Sequence, residues 1–375
     1  MRFEFATATR IAYGPGSVRE LPAAAREMGR RALLVTRRSA DVKALGLDGV
    51  PFPVHGEPTV DVVRKGARAA CDEGCDVVIA LGGGSAIDAG KAIAALMTNG
   101  GDPLDYLELV GKGKPITQPP APFIAIPTTA GTGSEVTRNA VLGVPEQRVK
   151  VSMRSPLMLP RLAVVDPELT VDLPRTVTAY TGLDALTQLI EPYVSIRANA
   201  LTDLYCIEGM RLVAQSLRAA WRDGGDLRAR SDMSLASLLG GLSLANAGLG
   251  AVHGFAAPLG GMFDAPHGAL CAALLPHAMR VNIAALRAAG DGEHVDRYAR
   301  TAQELTGNSA AGAEDGAAWV AGLCRDLEVQ PLDAYGVQTA DVPSIAAKAA
   351  TASSMKANPI VLTQTQLEDL LARAL

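Results

Sequence analysis

Aromatic side chains make up only 4% of the 375 residues, and the cysteines number five. Five is odd, and Cys71 and Cys75 have three residues between them rather than the two of a redox pair, so the chain carries no disulfide framework. A reducing compartment suits such a chain. An excess of one charge is also missing: 35 basic against 39 acidic residues leave a net charge of −4, which gives a nucleic-acid backbone nothing to hold. A hydrophobic fraction of 48% excludes a disordered chain. No uninterrupted apolar run reaches the roughly 18 residues that a membrane helix needs. The best candidate, Ser234 to Phe263, is interrupted by Ser237, Ser243, Asn246, His253 and Pro258 and reads as buried helix. The N-terminal MRFEFATATRIAYGPG lacks the basic segment and apolar core of a secretory signal, which makes the cytoplasm the expected location.

What is there is length and alternation. At roughly 100 to 200 residues per domain, 375 residues predict two domains. Between residues 30 and 170, short β-rich runs alternate with Ala-rich helical segments: RALLVT (31–36), DVVIAL (76–81), PFIAIP (122–127) and LAVVDP (162–167). Such alternation predicts a parallel sheet covered by helices. DVVIAL and FIAIP are continuously apolar, as in central strands buried on both faces. Beyond Leu173-Pro174 the β-branched clusters fade and helical periodicity runs to the C-terminus. The expected organisation is an α/β domain over 1–175, Rossmann-like but with a non-standard fingerprint, and an all-helical domain over 176–375. No low-complexity linker separates them, so close packing with a cleft between them is expected.

DVVIAL runs directly into Gly82-Gly83-Gly84-Ser85 and then the strongly helix-forming AIDAGKAIAAL. Strand, glycine turn and helix N-terminus together make an anion site, because glycines let backbone amides approach a pyrophosphate and the first helical turn supplies free donors. A plain turn with a Ser85/Asp88 capping box is the competing reading. PFIAIP leads into a second loop, Thr128-Thr129-Ala130-Gly131-Thr132-Gly133-Ser134-Glu135, at the same sheet edge. Ligands of open α/β sheets bind outside the carboxyl ends of the strands, so a dinucleotide across both loops is the economical reading, although no G-x-G-x-x-G follows the first strand. After Thr36, where an acidic residue could hold a ribose 2′-hydroxyl, stand Arg37 and Arg38, which suit a 2′-phosphate and tilt the expectation toward NADP over NAD.

In the helical half, Asp184 and Gln188 stand four apart on one helix face. His253 and His267 flank Pro258 and Gly260-Gly261, where a turn is expected to bring the two histidines together. A carboxylate in apolar helix costs several kcal/mol unless paired, and two imidazoles plus a divalent cation would supply the partner. His55, His277 and His294 read as structural or surface residues. Cys206, Cys271 and Cys324 lie among apolar neighbours and read as small buried hydrophobes.

Five segments, GGGSAIDAGKAIA, PTTAGTGSEVT, VVDPELT, TGLDALTQLIEPYVS and VHGFAAPLGGMFDAPHGA, together resemble the iron-containing (group III) alcohol dehydrogenase family in order and spacing over nearly the whole chain. The resemblance implies the dehydroquinate synthase-like fold of that family, NAD or NADP, one divalent metal (Fe2+ or Zn2+), an alcohol or aldehyde substrate and a homodimer. It implies cofactor contacts at Gly82, Gly83, Gly84, Ser85, Asp88, Thr128, Thr129, Thr132 and Lys150, and metal ligands at Asp184, His253 and His267. Two positions depart from the family pattern: Gln188 stands where a third histidine ligand is usual, and Ala257 where a further histidine, a proton carrier, is usual. A glutamine ligates only through its amide oxygen, a harder and weaker donor than imidazole. The expected function is metal-assisted hydride transfer between nicotinamide and an alcohol/carbonyl pair. The alternatives are a metal-independent reductase of the maleylacetate reductase type, a dehydroquinate synthase-like cyclase or lyase, and a non-catalytic nucleotide-binding protein.

Overall fold

The computed structural model describes residues 2–37 and 45–375. They group into an α/β unit, from Ala6–Thr129 and Gly133–Val171, and a helical unit, from Asp172–Leu375 with Ala130–Thr132 and the residues up to Phe5.

In the α/β unit six strands form one parallel sheet: β1 (Arg10–Tyr13), β2 (Ala32–Thr36), β3 (Gly49–Pro53), β4 (Val77–Gly82), β5 (Phe123–Pro127) and β8 (Leu162–Val165). Their order is β1-β8-β5-β4-β2-β3, which makes β4 and β5 central, as their unbroken apolar character predicts. Alternate residues of β4 serve two cores. Val78 and Ala80 pack with Leu33, Val35, Ile93 and Phe123, whereas Val77, Ile79 and Leu81 pack with Leu21, Ile124 and Ile126. Each fully buried Val, Leu or Ile in these layers contributes about 1.5–3 kcal/mol relative to exposure. Both edge strands, β1 and β3, escape sequence reading. β3, GVPFP, carries two prolines, which a strand tolerates at an edge. An antiparallel hairpin, β6 (Asn139–Val144) with β7 (Val149–Arg154), follows the second loop and also went unpredicted.

Helices α1 (Leu21–Met28), α2 (Val60–Asp72), α3 (Gly84–Asn99) and the single turn α4 (Pro103–Tyr106) complete this unit. Thr59 caps α2 by accepting from the Val62 amide. Helix α3 lies against the sheet at Gly90, where an added Cβ would fall 2.7 Å from Phe123 and 2.9 Å from the Ala80 methyl.

The helical unit contains α5 (Arg175–Val194), α6 (Ala200–Arg222), α7 (Leu227–Ala247), α8 (Ala251–Met262), α9 (His267–Ala288), α10 (Gly292–Thr306), α11 (Ala313–Asp326), α12 (Val342–Thr351) and α13 (Gln364–Ala372). No strand occurs among its described residues. Every residue of α5 from Gly182 to Val194 is buried, so any polar group there must find its partner inside the protein. Helix α9 is long and apolar enough to cross a membrane, but 83% of that window is buried within the fold.

Two local expectations need correction. The stretch from Ser234 to Phe263 is two helices, α7 and α8, bent by 98° at Gly248–Gly250. Gly248 adopts φ +76°, and Asn358 Oδ1 accepts from the Ala251 amide to start the new helix. Pro258 and Gly260-Gly261 do not form the turn before His267; α8 continues through them to Met262. A proline removes only one ladder bond, and the chain reverses instead at Phe263–Pro266, where Pro266 disfavours helical backbone at Ala265.

Candidate metal and nucleotide sites

The glycine turn sits where the strand pattern puts it. Gly82 ends β4, Gly83 is the N-cap of α3 and Gly84 its first residue. Ala86 and Ile87 amides bond back to Gly83 O, which leaves the Gly84 and Ser85 amides outside the helical ladder. No side chain caps this helix, so the Ser85/Asp88 box does not form. The second loop starts beside the first: Thr128 N donates to Gly82 O at 3.0 Å, and a Cβ on Gly83 would lie 3.4 Å from Thr129 Oγ1. Thr36 ends β2 in register with Leu81 of β4, so the exposed Arg37 follows at this same sheet edge. Arg38 lies outside the described residues.

Asp88 turns away from the turn into the scaffold. Its Oδ1 accepts from Ser134 Oγ at 2.8 Å, its Oδ2 from the Val141 amide at 3.0 Å, and Lys91 Nζ stands 3.3 Å away. Lys91, fully buried, also donates to Ser134 O, Thr137 Oγ1 and Asn139 O, which ties α3 to the second loop and the hairpin. Burial pushes Lys91 below its ordinary pKa, against the pull of Asp88. Glu135, buried beside this group, is pushed up to about 7 by burial, with its own backbone amide and Lys91 opposing. Lys150, on β7, pairs with Glu57 at 3.4 Å, and Thr132 groups with the helical unit.

In the helical unit three elements converge. Helix α5 carries Asp184 and Gln188, α8 carries His253 in its first turn, and α9 opens with His267. His253 Nε2 stands 3.4 Å and His267 Nε2 3.6 Å from Asp184 Oδ1, which nevertheless has no hydrogen-bond partner. Gln188 Oε1, one turn along α5, is likewise buried without one. Glu191, three residues beyond Gln188 on α5, fixes the arrangement. Its Oε1 accepts from the Val252 amide at 2.7 Å and its Oε2 lies 2.7 Å from His253 Nδ1. One carboxylate therefore caps α8 and accepts from His253 Nδ1, which turns Nε2 toward Asp184, protonated without a cation and a lone-pair donor when one is bound.

Cys271 completes the group. One turn after His267 on α9 and fully buried, its Sγ lies 3.6 Å from His267 Nε2 and 3.9 Å from His253 Nε2. The donor atoms of Asp184, His253, His267 and Cys271 all lie within 4.8 Å of one another. The small buried hydrophobe expected at Cys271 is thus a correction: the residue is buried, but among two imidazoles and a carboxylate. Sequence reading missed it because the residues flanking it on α9 are apolar; its i+4 spacing from His267 was the signal that could have found it. Glu191 was missed for the same reason.

Charge follows geometry. Burial pushes the Asp184 carboxyl up, yet positive charge on His267 and His253 holds it below its ordinary value. Negative charge at Cys271 is the main cause that raises His267 to about 9, against burial and with help from Asp184. Burial pushes His253 down, but Cys271 and Glu191 outweigh it and hold the imidazole well above its ordinary value. The cluster thus demands positive charge among acidic donors, a demand that protons or a divalent cation can meet. The orphaned Asp184 oxygen and the mixed O, N and S donor set fit a cation. The other histidines stand apart: His55 is exposed, His294 caps with Asp291 at 2.9 Å, and burial drives His277 down to about 4.

Comparison with known proteins decides the family. A family model described as iron-containing alcohol dehydrogenase matches residues 8–167, and one for the C-terminal part of the Fe-containing alcohol dehydrogenase family matches residues 178–375. The chain belongs to the iron-containing alcohol dehydrogenase family. This alcohol dehydrogenase is 36% identical over 367 residues to the 1,3-propanediol dehydrogenase of Citrobacter freundii, covering 92% of each chain. It is 34% identical over 363 residues to alcohol dehydrogenase 4 of Saccharomyces cerevisiae, covering 92% of this chain and 91% of that one. A crystal structure of 1,3-propanediol oxidoreductase superposes with a TM-score of 0.92 at 33% identity over the whole of both chains. The chain is therefore an oxidoreductase acting on CH–OH groups, of a family that implies NAD(P), a divalent metal and small alcohol or aldehyde substrates.

Proposed function

We propose that this alcohol dehydrogenase holds one divalent cation, Fe2+ or Zn2+, on Asp184, His253 and His267, takes its nicotinamide cofactor over the Gly82–Ser85 turn with a tilt toward NADP, and works on small alcohols with their aldehydes or ketones. The observation that carries the cation reading is Asp184 Oδ1, buried in α5 without a hydrogen-bond partner while two imidazole nitrogens face it at 3.4 and 3.6 Å. When bound, the cation supplies Lewis acidity to the substrate oxygen. Glu191 keeps His253 in the donor tautomer, and the burial of Asp184 excludes water that would otherwise compete for its charge. The Gly84 and Ser85 amides and the positive end of α3 support a pyrophosphate, and Arg37 at the end of β2 supports a 2′-phosphate. Hydride transfer itself is the cofactor's chemistry. Ala257, exposed on α8, brings no proton, so water or another group takes that part. A metal-independent reductase would leave the Asp184 oxygen without purpose. Homodimeric assembly is supported by the family resemblance, and a cytoplasmic location by the absence of any disulfide among five cysteines.

Metal content per chain after dialysis against Fe(II) or Zn(II), followed by kcat/KM with NAD and NADP over a panel of short alcohols and aldehydes, tests this reading. One cation per chain, metal-dependent turnover and a higher kcat/KM with NADP that Arg37→Ala reverses are expected. Turnover by persistently empty protein would hand the function to the metal-independent alternative, and a clear preference for NAD would remove the role of Arg37.

A further inference from the structure

We propose that Cys271, rather than Gln188, completes the cation site as a thiolate donor beside Asp184, His253 and His267, and that this donor biases the site toward zinc. The inference rests on the reading that the site holds a cation. Metal bonds of about 2.0–2.1 Å to nitrogen or oxygen and about 2.3 Å to sulfur give a tetrahedral site donor-to-donor edges of roughly 3.3–3.6 Å. The edges here are 3.4 and 3.6 Å from Asp184 to the imidazoles, and 3.6 and 3.9 Å from Cys271 to the same two nitrogens. Imidazole–thiol hydrogen bonds and imidazole–carboxylate ion pairs account for the edges one at a time, but not for four donor atoms of three chemical types gathered within 4.8 Å around a buried Asp184 Oδ1 that has no hydrogen-bond partner. Spacing of this kind belongs to atoms arranged around a common centre.

The sulfur is also placed by helix geometry rather than by chance packing. Cys271 follows His267 by four residues, so both side chains project from one face of α9 toward Asp184. Cys324 shows the contrast: its thiol donates to the Ala272 carbonyl at 3.5 Å, and among the described residues it belongs to no group of metal donors. At position 188 the amide of glutamine offers a hard, weak donor, whereas a thiolate is soft and favours zinc over iron. The fourth strong donor of this site thus stands on α9, not on α5.

Cobalt(II)-substituted enzyme tests this directly. The wild type should bind one Co(II) per chain and show a thiolate-to-cobalt charge-transfer band in the near ultraviolet. Cys271→Ser should keep cobalt but lose the band, and Gln188→Ala should keep both. Loaded anaerobically from equal Zn(II) and Fe(II), the wild type should take up mostly zinc, and Cys271→Ser should show a lower zinc-to-iron ratio. Should the serine variant fail to fold, X-ray absorption at the zinc edge of the wild type decides: one sulfur at about 2.3 Å is expected. A cobalt site without the band, a band that survives Cys271→Ser, or a zinc shell of only nitrogen and oxygen overturns the proposal. Those outcomes leave the cation reading intact, whereas protein that binds no cobalt overturns both.

Discussion

Around the glycine turn, Asp88, Lys91, Ser134 and Thr137 satisfy one another: the carboxylate accepts from a hydroxyl and an amide while the buried ammonium spends its protons on backbone and side-chain oxygens. In the helical unit Asp184 is buried as deeply, yet its Oδ1 and the Gln188 Oε1 beside it have no hydrogen-bond partner. A buried carboxylate oxygen left without a hydrogen bond is costly even beside two imidazoles, so it persists only where something else is meant to meet it. The first network is scaffold that presents backbone amides; the second is a set of donors presented to a ligand. Glu135 Oε2 is the exception in the first region, buried without a partner. Burial pushes its carboxyl up to about 7, far above the ordinary carboxylate value.

The largest effect that would sharpen this contrast comes from His267→Ala. Removing one donor from the open cluster should lower turnover by more than the roughly 10–100-fold that loss of an outer partner costs, while NADP(H) affinity, measured by nucleotide fluorescence, stays nearly unchanged. Parallel loss of nucleotide affinity would show that the two regions are not independent. Next comes Glu191→Gln, which retains an oxygen to cap α8 but no longer offers a carboxylate to both the Val252 amide and His253 Nδ1. Metal affinity should fall by about 10–100-fold with little change in Tm; unchanged affinity would remove the positioning role of Glu191.

The smallest effect concerns the exception. Glu135 has its folded pKa raised above the ordinary 4.5 to about 7, so the folded state binds the extra proton. Its contribution to stability is full below the unfolded value and is lost as pH rises through about 7. Urea denaturation should therefore show wild type losing about 1–3 kcal/mol relative to Glu135→Gln between pH 4.5 and 8. A constant difference across that range would place Glu135 inside the satisfied network after all.

Much of this was legible without coordinates, because it depends on neighbours in the chain. Unbroken apolar runs marked β4 and β5 as central, the change of periodicity after Leu173 marked the helical half, and glycines after β4 marked the turn at the start of α3. Asp184 and the two histidines drew attention as polar residues in apolar helices. The edge strands β1 and β3 were invisible because four or five half-exposed residues, two of them proline in β3, leave little periodic signal. The 98° bend between α7 and α8 was hidden because it hangs on Asn358, over a hundred residues away.

The sequence by itself determined the central strands, the helical character of the second half and the turn where backbone amides lie bare, since hydrophobic period, glycine and proline act over a few residues. Only the tertiary structure decided that Cys271 stands with Asp184, His253 and His267 and that Glu191 aims His253. Those contacts join three helices whose apolar faces are interchangeable in one dimension and are put in register only by packing.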